Sequence, residues 1–246
     1  MSLLISIDWD FFVPEDFMWD MGHRESELFL DFLWSTRMHL VGEMVTSGTE
    51  ATFWDWLGRY FDTGRADMYL SDSHAYATIP AQHADTLILF DAHHDCWGDK
   101  NVKPGEYYCH TWARQWLEED ESRSMFWAFP TSEQAEMVSD IPSHIRDRVT
   151  LVNHDSGQFG VFDGVGGGEA DQLHICRSGC WTAPWLDRAF INFVEASGRD
   201  IGDAEVLQEG KWDPTQERWT AEQFNEYKRA GEVMRAQLAK VNDGHQ

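Results

Sequence analysis

The chain has 246 residues, of which 43 are acidic and 19 are basic, so its formal net charge at pH 7 is −24. Because 42% of the residues are hydrophobic and 14% are aromatic, the composition argues against a disordered chain. The negative charge argues against nonspecific binding to nucleic acid, which begins with a basic surface.

The sequence predicts a cytoplasmic protein with no membrane partner. Asp8 interrupts the first apolar run, no basic segment precedes it, and no run approaches the ~18 apolar residues of a membrane span. The four cysteines are Cys96, Cys109, Cys176 and Cys180. They are too few for a disulfide framework, and the single C-x3-C pair lacks the second pair that a zinc site needs. We therefore expect reduced thiols.

Short apolar runs alternate with amphipathic stretches, which is typical of an α/β fold with a mostly parallel sheet. The predicted strands are residues 3–9, 68–70, 86–90, 125–129, 149–152 and 173–176. The predicted helices are residues 23–45, a short helix that follows an N-cap at Thr49, residues 111–119, and residues 221–241 behind a capping box of Thr220 and Gln223. The glycine-dense segment 160–168 favours a flexible connection over a phosphate-binding loop. With no visible boundary or repeat, residues 1–246 are predicted to form one domain.

The first predicted strand ends in the sequence S-I-D-W-D at residues 6–10. Alternate residues of a strand point to the same side, so Asp8 and Asp10 share a target if the extended conformation continues through Asp10. A lone D-x-D pair is a weak signal, because it occurs at many solvated strand ends.

The second and third predicted strands are each followed by histidine. His74 ends an S-D-S-H segment and is, by itself, more typical of an exposed or hydrogen-bonded histidine than of a ligand. The strand L-I-L-F is followed directly by D-A-H-H-D at residues 91–95. Ligands collect at the carboxyl ends of parallel strands, and charged groups there are costly to desolvate unless a cation pairs with them. The alternative is a polar strand edge whose histidines are merely exposed.

Together, these segments resemble the metal site of the arginase (ureohydrolase) family. The matching residues are Asp91, His93 and Asp95 of a D-A-H-x-D segment, Ser6, Asp8 and Asp10 of an S-x-D-x-D segment and, more loosely, His74 of a G-G-D-H-S segment. The order is permuted, because S-x-D-x-D opens this chain. The permutation, the small size and the C-H-T-W sequence at 109–112 are similar to a divergent branch that contains peptide arginases. The resemblance implies a three-layer α/β/α, arginase/deacetylase-like fold.

The resemblance also implies an activity: a hydrolase with two Mn²⁺ ions that converts arginine residues of a precursor peptide to ornithine and urea by attack of a metal-bridging hydroxide. The implied ligands are Asp8, Asp10, His74, Asp91, His93 and Asp95, with Asp8 and Asp91 bridging the two ions. His110 would be the proton shuttle, although it fits equally well as a residue that simply starts the following helix. His94 is the second choice.

Several alternatives stay open in the sequence. A zinc-dependent deacetylase-like amidohydrolase could use part of the same ligand set, and so could a non-catalytic arginase-like binding protein. The carboxylate that orients the substrate guanidinium is not assigned by the sequence, and the candidates by residue type are Glu15, Asp16, Asp20 and Asp187. The residues expected to flank an aromatic cleft are Trp97, Trp112, Trp181 and Trp185.

Overall fold

The computed structural model describes residues 2–13, 27–40, 42–98, 102–103, 105–153, 162, 168–207 and 212–243. The strands are β1 (Leu3–Asp8), β2 (Asp67–Ser71), β3 (Thr86–Phe90), β4 (Ser124–Phe129), β5 (Val149–Asn153), β6 (Gln172–Cys176) and β7 (Glu205–Leu207). The α-helices are α1 (Glu27–Leu40), α2 (Glu50–Leu57), α3 (Thr78–Ala81), α4 (Trp112–Glu119), α5 (Ser143–Arg146), α6 (Asp187–Ala196) and α7 (Ala221–Asp243). None of these helices is long and apolar enough to span a membrane.

The strands form a single parallel sheet in the order β5-β4-β3-β1-β6-β2-β7. The order reverses at β1, because β3, β4 and β5 lie on one side of it and β6, β2 and β7 lie on the other. In open parallel sheets, ligands bind outside the carboxyl ends of the strands at such a reversal. The strand order therefore predicts a ligand-binding site at the carboxyl ends of β1 and its neighbours.

Alternate residues of the central strands feed two separate hydrophobic clusters. On one face, Ile7 packs in a cluster with Phe53 of α2 and Phe190 of α6. On the other face, Leu89 packs in a cluster with Trp116 of α4. Burying each such side chain contributes about 1.5–3 kcal/mol. Helices thus cover both faces of a parallel sheet, which confirms the predicted three-layer α/β/α class.

A third hydrophobic cluster joins α1 and α7 to the segment that follows β6. Trp34 of α1 and Trp219, which precedes α7, are buried in it together with Cys180. The Trp34 indole donates a hydrogen bond of 2.9 Å to the carbonyl of Gly179, and the Arg37 guanidinium donates one of 2.9 Å to that of Cys180. These contacts hold the loop after β6 beside the carboxyl edge of the sheet. None of the four cysteines forms a disulfide in the structure, which agrees with the expected thiols.

Two predicted element ends are wrong. β1 ends at Asp8, because the Asp8 side chain accepts the backbone N–H of Asp10 and caps a 3₁₀ turn over Trp9–Phe12. Asp8 and Asp10 therefore do not share a strand face. α1 ends at Leu40 and does not reach residue 45, since Gly42 has a φ of +95°, outside the right-handed helical region. Residues 23–26 of the predicted helix lie outside the described residues.

The other predicted elements agree with the structure to within two residues at each end. The capping box is confirmed, because the Thr220 N–H donates to Gln223 Oε1 at 2.9 Å and the Gln223 N–H donates to Thr220 Oγ1 at 3.2 Å. Thr49 precedes α2, but its backbone is already helical and its side chain makes no cap hydrogen bond. Four elements have no counterpart among the predicted ones, namely β7, α3, α5 and α6. Apart from Phe162 and Gly168, the glycine-dense segment lies outside the described residues.

Candidate metal site

The carboxyl ends of β1 and β3 bring two carboxylates side by side. Ile7 pairs with Phe90 across these strands, so the residues that follow, Asp8 and Asp91, stand at the same level of the sheet. Both are buried, with 3% and 1% of their surface exposed. Two carboxylates from separate strands thus meet at the edge that the strand order marks as a ligand site.

His74 joins them from the 3₁₀ turn that follows β2, and the three residues form what we call the inner group. His74 Nδ1 lies 3.0 Å from Asp8 Oδ2 and 2.9 Å from Asp91 Oδ2. A single N–H can point at only one acceptor, and neither Nδ1 nor Asp91 Oδ2 makes a correctly directed hydrogen bond. Three ligand atoms therefore converge on one buried point without satisfying one another.

Asp10, Asp91 and His93 form a second set, the outer group. In each group the ligand atoms lie within 4.8 Å of one another, and Asp91 belongs to both. His93 Nδ1 is 3.1 Å from Asp10 Oδ2 and 3.6 Å from Asp91 Oδ1. The His93 side chain is 17% exposed and packs on the half-buried Trp181, with ring centroids 4.9 Å apart. The outer group is therefore the one nearer to solvent.

Backbone amides orient the three carboxylates. Asp8 Oδ1 accepts the Asp10 N–H at 3.2 Å, Asp10 Oδ1 accepts the Ala92 N–H at 3.3 Å, and Asp91 Oδ1 accepts the His93 N–H at 2.7 Å. Aspartate commonly closes turns with its own backbone in this way. The Oδ2 atom of each carboxylate is left facing an imidazole. Local turns at Asp8 and Asp91, and a contact between the segments after β1 and β3 at Asp10, thus aim the ligand atoms.

Asp95 approaches the inner group without completing it. Its φ of +51° is a left-handed conformation that aspartate tolerates better than most residues. Asp95 Oδ2 lies 3.0 Å from His74 Nδ1 and accepts the Trp112 indole N–H at 2.6 Å. Its ligand atoms are not part of either convergent group. The role of Asp95 as a ligand stays a prediction, and Trp112 holds that carboxylate in place.

The charges of this cluster fit a divalent cation. Four buried carboxylates and two imidazoles leave excess negative charge even when both imidazoles are protonated. Burial, and then the charge of Asp10, raises the pKa of Asp8. Burial, followed by the charges of Asp95, Asp10 and Asp8, raises the pKa of Asp91 well above its usual value. A bound cation would offset the repulsion among these carboxylates. Carboxylate oxygens and imidazole nitrogens are ligands that Mn²⁺ and similar metals accept.

Neighbouring carboxylates raise the pKa values of the two histidines, one in each group. Burial alone would lower the pKa of His74, but the charge of Asp8 and the adjacent carboxylates hold it well above 6.5. Burial would also lower the pKa of His93, and Asp10 and Asp91 outweigh it in the same way. Without metal, each imidazole therefore retains a proton that a cation would have to displace.

His174 of β6 also belongs to this region, although no sequence pattern singled it out. This fully buried residue has its Nδ1 2.9 Å from Ser6 Oγ and its Nε2 2.9 Å from Ser71 Oγ. Burial, and then the charge of His74, lowers the pKa of His174 well below its usual value. The feature of the sequence that could have pointed to His174 is a single histidine in a short apolar run, in a sheet that helices cover on both faces.

The two histidines proposed as proton shuttles lie outside both groups. His94 is buried, accepts the Cys96 N–H on Nδ1 at 2.9 Å and packs 4.8 Å from the Trp97 ring. Burial lowers the pKa of His94 to about 4, so it is neutral at pH 7 and poorly suited to donating a proton. His110 is half-buried in the turn before α4, with its ring 6.0 Å from that of Tyr108. Its shuttle role stays a prediction.

Asp187 is unsuited to hold a substrate guanidinium, because it pairs with Arg177 and Arg218 inside the protein. The other three carboxylates considered for this role, Glu15, Asp16 and Asp20, lie outside the described residues. Of the four tryptophans expected at the cleft, Trp97, Trp112 and Trp181 pack on histidines of this region. Trp185 belongs to the hydrophobic cluster of α1 and α7 and packs on Trp34 and Trp219.

Comparison with protein-family models, with curated proteins and with solved structures finds no match to this chain. Buried Asp and His side chains at the carboxyl edge of the sheet could hold a metal ion.

Proposed function

We propose that this protein is a dimanganese ureohydrolase, similar to peptide arginases, that hydrolyses arginine side chains of a precursor peptide to ornithine and urea. The observation that carries this proposal is the sharing of Asp91 by two buried Asp/His groups at the reversal point of a parallel sheet. A shared carboxylate favours two neighbouring cations over one, because each of its oxygens faces a different imidazole.

The ligand roles follow from the two groups. Asp8, His74 and Asp91 would hold the inner ion, and Asp10, Asp91 and His93 the outer ion. Asp95, held by Trp112, would join the inner ion. Bound Mn²⁺ ions supply a lowered pKa for water and a polarising charge next to the substrate carbon. The sharing of Asp8 between both ions is not part of this assignment, because Asp8 Oδ2 faces the inner group.

The substrate would approach from the side of the outer group. His93 and Trp181 are partly exposed there, whereas Asp8 and His74 are sealed inside the protein. A tryptophan face attracts a guanidinium by cation–π interaction. The negative cluster behind it favours a cationic side chain over a neutral one. Burial of the inner group keeps bulk water away, which strengthens these interactions.

The proposed hydrolysis consumes one water, whose oxygen ends in urea, and leaves the amine of ornithine. That amine must take up a proton as the C–N bond breaks. His110 is our candidate for delivering it. Its backbone carbonyl accepts the backbone N–H of Trp97 at 3.0 Å, and this bond connects the turn that contains His110 to the loop after β3. His94 is disfavoured by its low pKa.

A peptide is favoured over free arginine because the three described residues that follow D-A-H-H-D, at 96–98, offer no charge to hold an α-amino or α-carboxylate group. Cys96 is fully buried, and Trp97 and Gly98 carry no charge. The side chain would then be recognised through its guanidinium and its flanking peptide.

The test is incubation of the Mn²⁺-loaded protein with arginine-containing peptides, with urea release and peptide mass followed together. We expect one urea for each arginine lost and a product with ornithine at that position. The same peptide with lysine for arginine should be inert, and an Asp91→Asn variant should be inactive. Faster turnover of free arginine would contradict the peptide substrate. Binding of a single zinc, with release of acetate from acetyl-lysine, would favour a deacetylase.

A further inference from the structure

Buried polar side chains form a continuous hydrogen-bonded relay behind the inner group. His74 Nε2 lies 2.8 Å from Ser6 Oγ, which lies 2.9 Å from His174 Nδ1. His174 Nε2 lies 2.9 Å from Ser71 Oγ, whose hydroxyl donates to the carbonyl of Ser73 at 2.8 Å. Ser6, Ser71 and His174 have no exposed surface, so water is not an alternative partner for them.

The far end of this relay fixes its direction. The Ser73 carbonyl can only accept a hydrogen bond, so the single hydroxyl proton of Ser71 is committed to it. Ser71 Oγ must then accept from His174, which places a proton on His174 Nε2.

His174 is neutral in this setting. Its ring stacks on that of His74 at a centroid distance of 5.6 Å and an interplanar angle of 21°, so a charge on both rings would be repulsive. Among the described residues, no carboxylate lies within ion-pair distance of His174. Its Nδ1 therefore carries a lone pair and accepts from the Ser6 hydroxyl, which in turn accepts from Nε2–H of His74.

The relay thus ends in a defined tautomer of His74. A proton stays on Nε2, so a metal ion that displaces the Nδ1 proton finds the Nδ1 lone pair directed between Asp8 and Asp91, which is the form that a metal ion requires. We propose that His174 is a positioning residue that selects the metal-binding tautomer of His74 through Ser6. This inference rests on the metal-binding part of the proposed function and is independent of the reaction.

The central test is a His174→Phe variant, which keeps a planar ring and removes both nitrogens. The dissociation constant of the inner Mn²⁺ site, measured by isothermal titration calorimetry, should rise about 10–100-fold. His174→Gln retains one acceptor and one donor and should restore most of the affinity. Nitrogen NMR of the imidazoles in Zn²⁺-loaded wild-type protein should show His174 protonated on Nε2 and bare on Nδ1, as the relay requires.

Gln172→Leu is the matched control, because Gln172 lies two residues earlier on the same face of β6 and is 8% exposed. It should bind Mn²⁺ as the wild type does. Unchanged Mn²⁺ affinity in His174→Phe, or equal weakening in Gln172→Leu, would overturn the inference. If His174→Phe does not fold, Ser71→Ala carries the test, since it should weaken binding with both rings in place, and wild-type affinity would count against the relay.

The same experiments separate this inference from the proposed function. A wild-type protein that binds no divalent cation would contradict the function. The relay would then be decided in the metal-free protein, where a His174 proton on Nε2 supports it and one on Nδ1 overturns it.

Discussion

The inner and outer groups share Asp91 but differ in their surroundings. The inner group is buried, and its His74 is hydrogen-bonded to Ser6, which is in turn hydrogen-bonded to His174. The outer group reaches the surface through a His93 side chain that is 17% exposed and rests on a half-buried Trp181. One group is thus held by neighbouring polar side chains, and the other is open to an incoming molecule.

This difference indicates a division of labour. Ligands whose partners are fixed lose less conformational entropy on binding a metal, so the inner group should be the tighter site. A more exposed site exchanges metal more readily and leaves room for a substrate.

Asp91→Asn should disable both groups at once, because Asp91 is their common member. An amide keeps the shape but loses the charge that two cations would share. We expect loss of both bound Mn²⁺ equivalents in equilibrium dialysis and a fall in urea release of at least ~10³-fold, about 4 kcal/mol. Asp67→Asn, on an exposed position of β2, is the control and should change neither. Two equivalents retained by Asp91→Asn would contradict a shared site.

Replacing the two histidines should separate the groups. His93→Asn should remove the weaker Mn²⁺ equivalent and leave the tighter one. His74→Asn should weaken the tighter equivalent by at least about 100-fold, or about 2.8 kcal/mol, since it removes a ligand together with its relay. Calorimetric titration of both variants checks this assignment. Identical isotherms for the two variants would show that the groups do not differ.

Metal-linked stability should grow with pH. Asp8 and Asp91 have raised pKa values relative to 3.8, and His74 and His93 relative to 6.5. Their stabilising contribution is complete below those reference values and is lost as pH rises through the raised ones. The metal-free protein should therefore lose this contribution with rising pH, while Mn²⁺ meets fewer competing protons.

Melting temperatures with Mn²⁺ and with chelator, compared at about pH 6 and about pH 8.5, measure this effect. Mn²⁺ at 100 times its dissociation constant stabilises by about 2.7 kcal/mol. The gain at a fixed metal concentration should be larger at the higher pH. A gain that is constant or shrinks with pH would indicate that these four groups are not the ligands.

Trp112→Phe should give the smallest effect. It keeps an aromatic ring but removes the indole N–H that Asp95 accepts, and hydrogen bonds to charged groups contribute about 1.5–3 kcal/mol. Mn²⁺ affinity should fall about 10-fold, mainly at the inner site. Trp116→Phe is matched, because Trp116 is buried in the same helix and donates to the Ala81 carbonyl at 2.7 Å. Equal losses in the two variants would assign the effect to packing.

Much of the fold was predictable because the strands of a buried parallel sheet appear in the sequence as short apolar runs. The run before Asp91 and the one before Asp8 both became central strands, and the acidic residues after them reached one edge. Strand order was not predictable, since adjacency of β1 and β3 depends on contacts between residues far apart in the chain. β7 was missed because two of its three residues are exposed and carry little apolar pattern.

The candidate site was predictable in its residue types and not in its connections. His93 and Asp10 were singled out by motif, yet their pairing depends on the 3₁₀ turn that Asp8 caps. His174 gave only a weak signal, because one polar residue in a strand becomes meaningful when its neighbours on other strands are known. His94 lies in the same motif as His93 but turns into the hydrophobic side of the sheet, beside Trp127.

The most direct measurement is a Mn²⁺ titration of the metal-free protein, followed by calorimetry and by electron paramagnetic resonance. We expect two equivalents per chain with unequal affinities, and a six-line signal from the first ion that loses intensity as the second ion couples to it through Asp91. A single equivalent, two uncoupled ions, or no binding at all would show that the two Asp/His groups do not form a metal centre around one shared carboxylate.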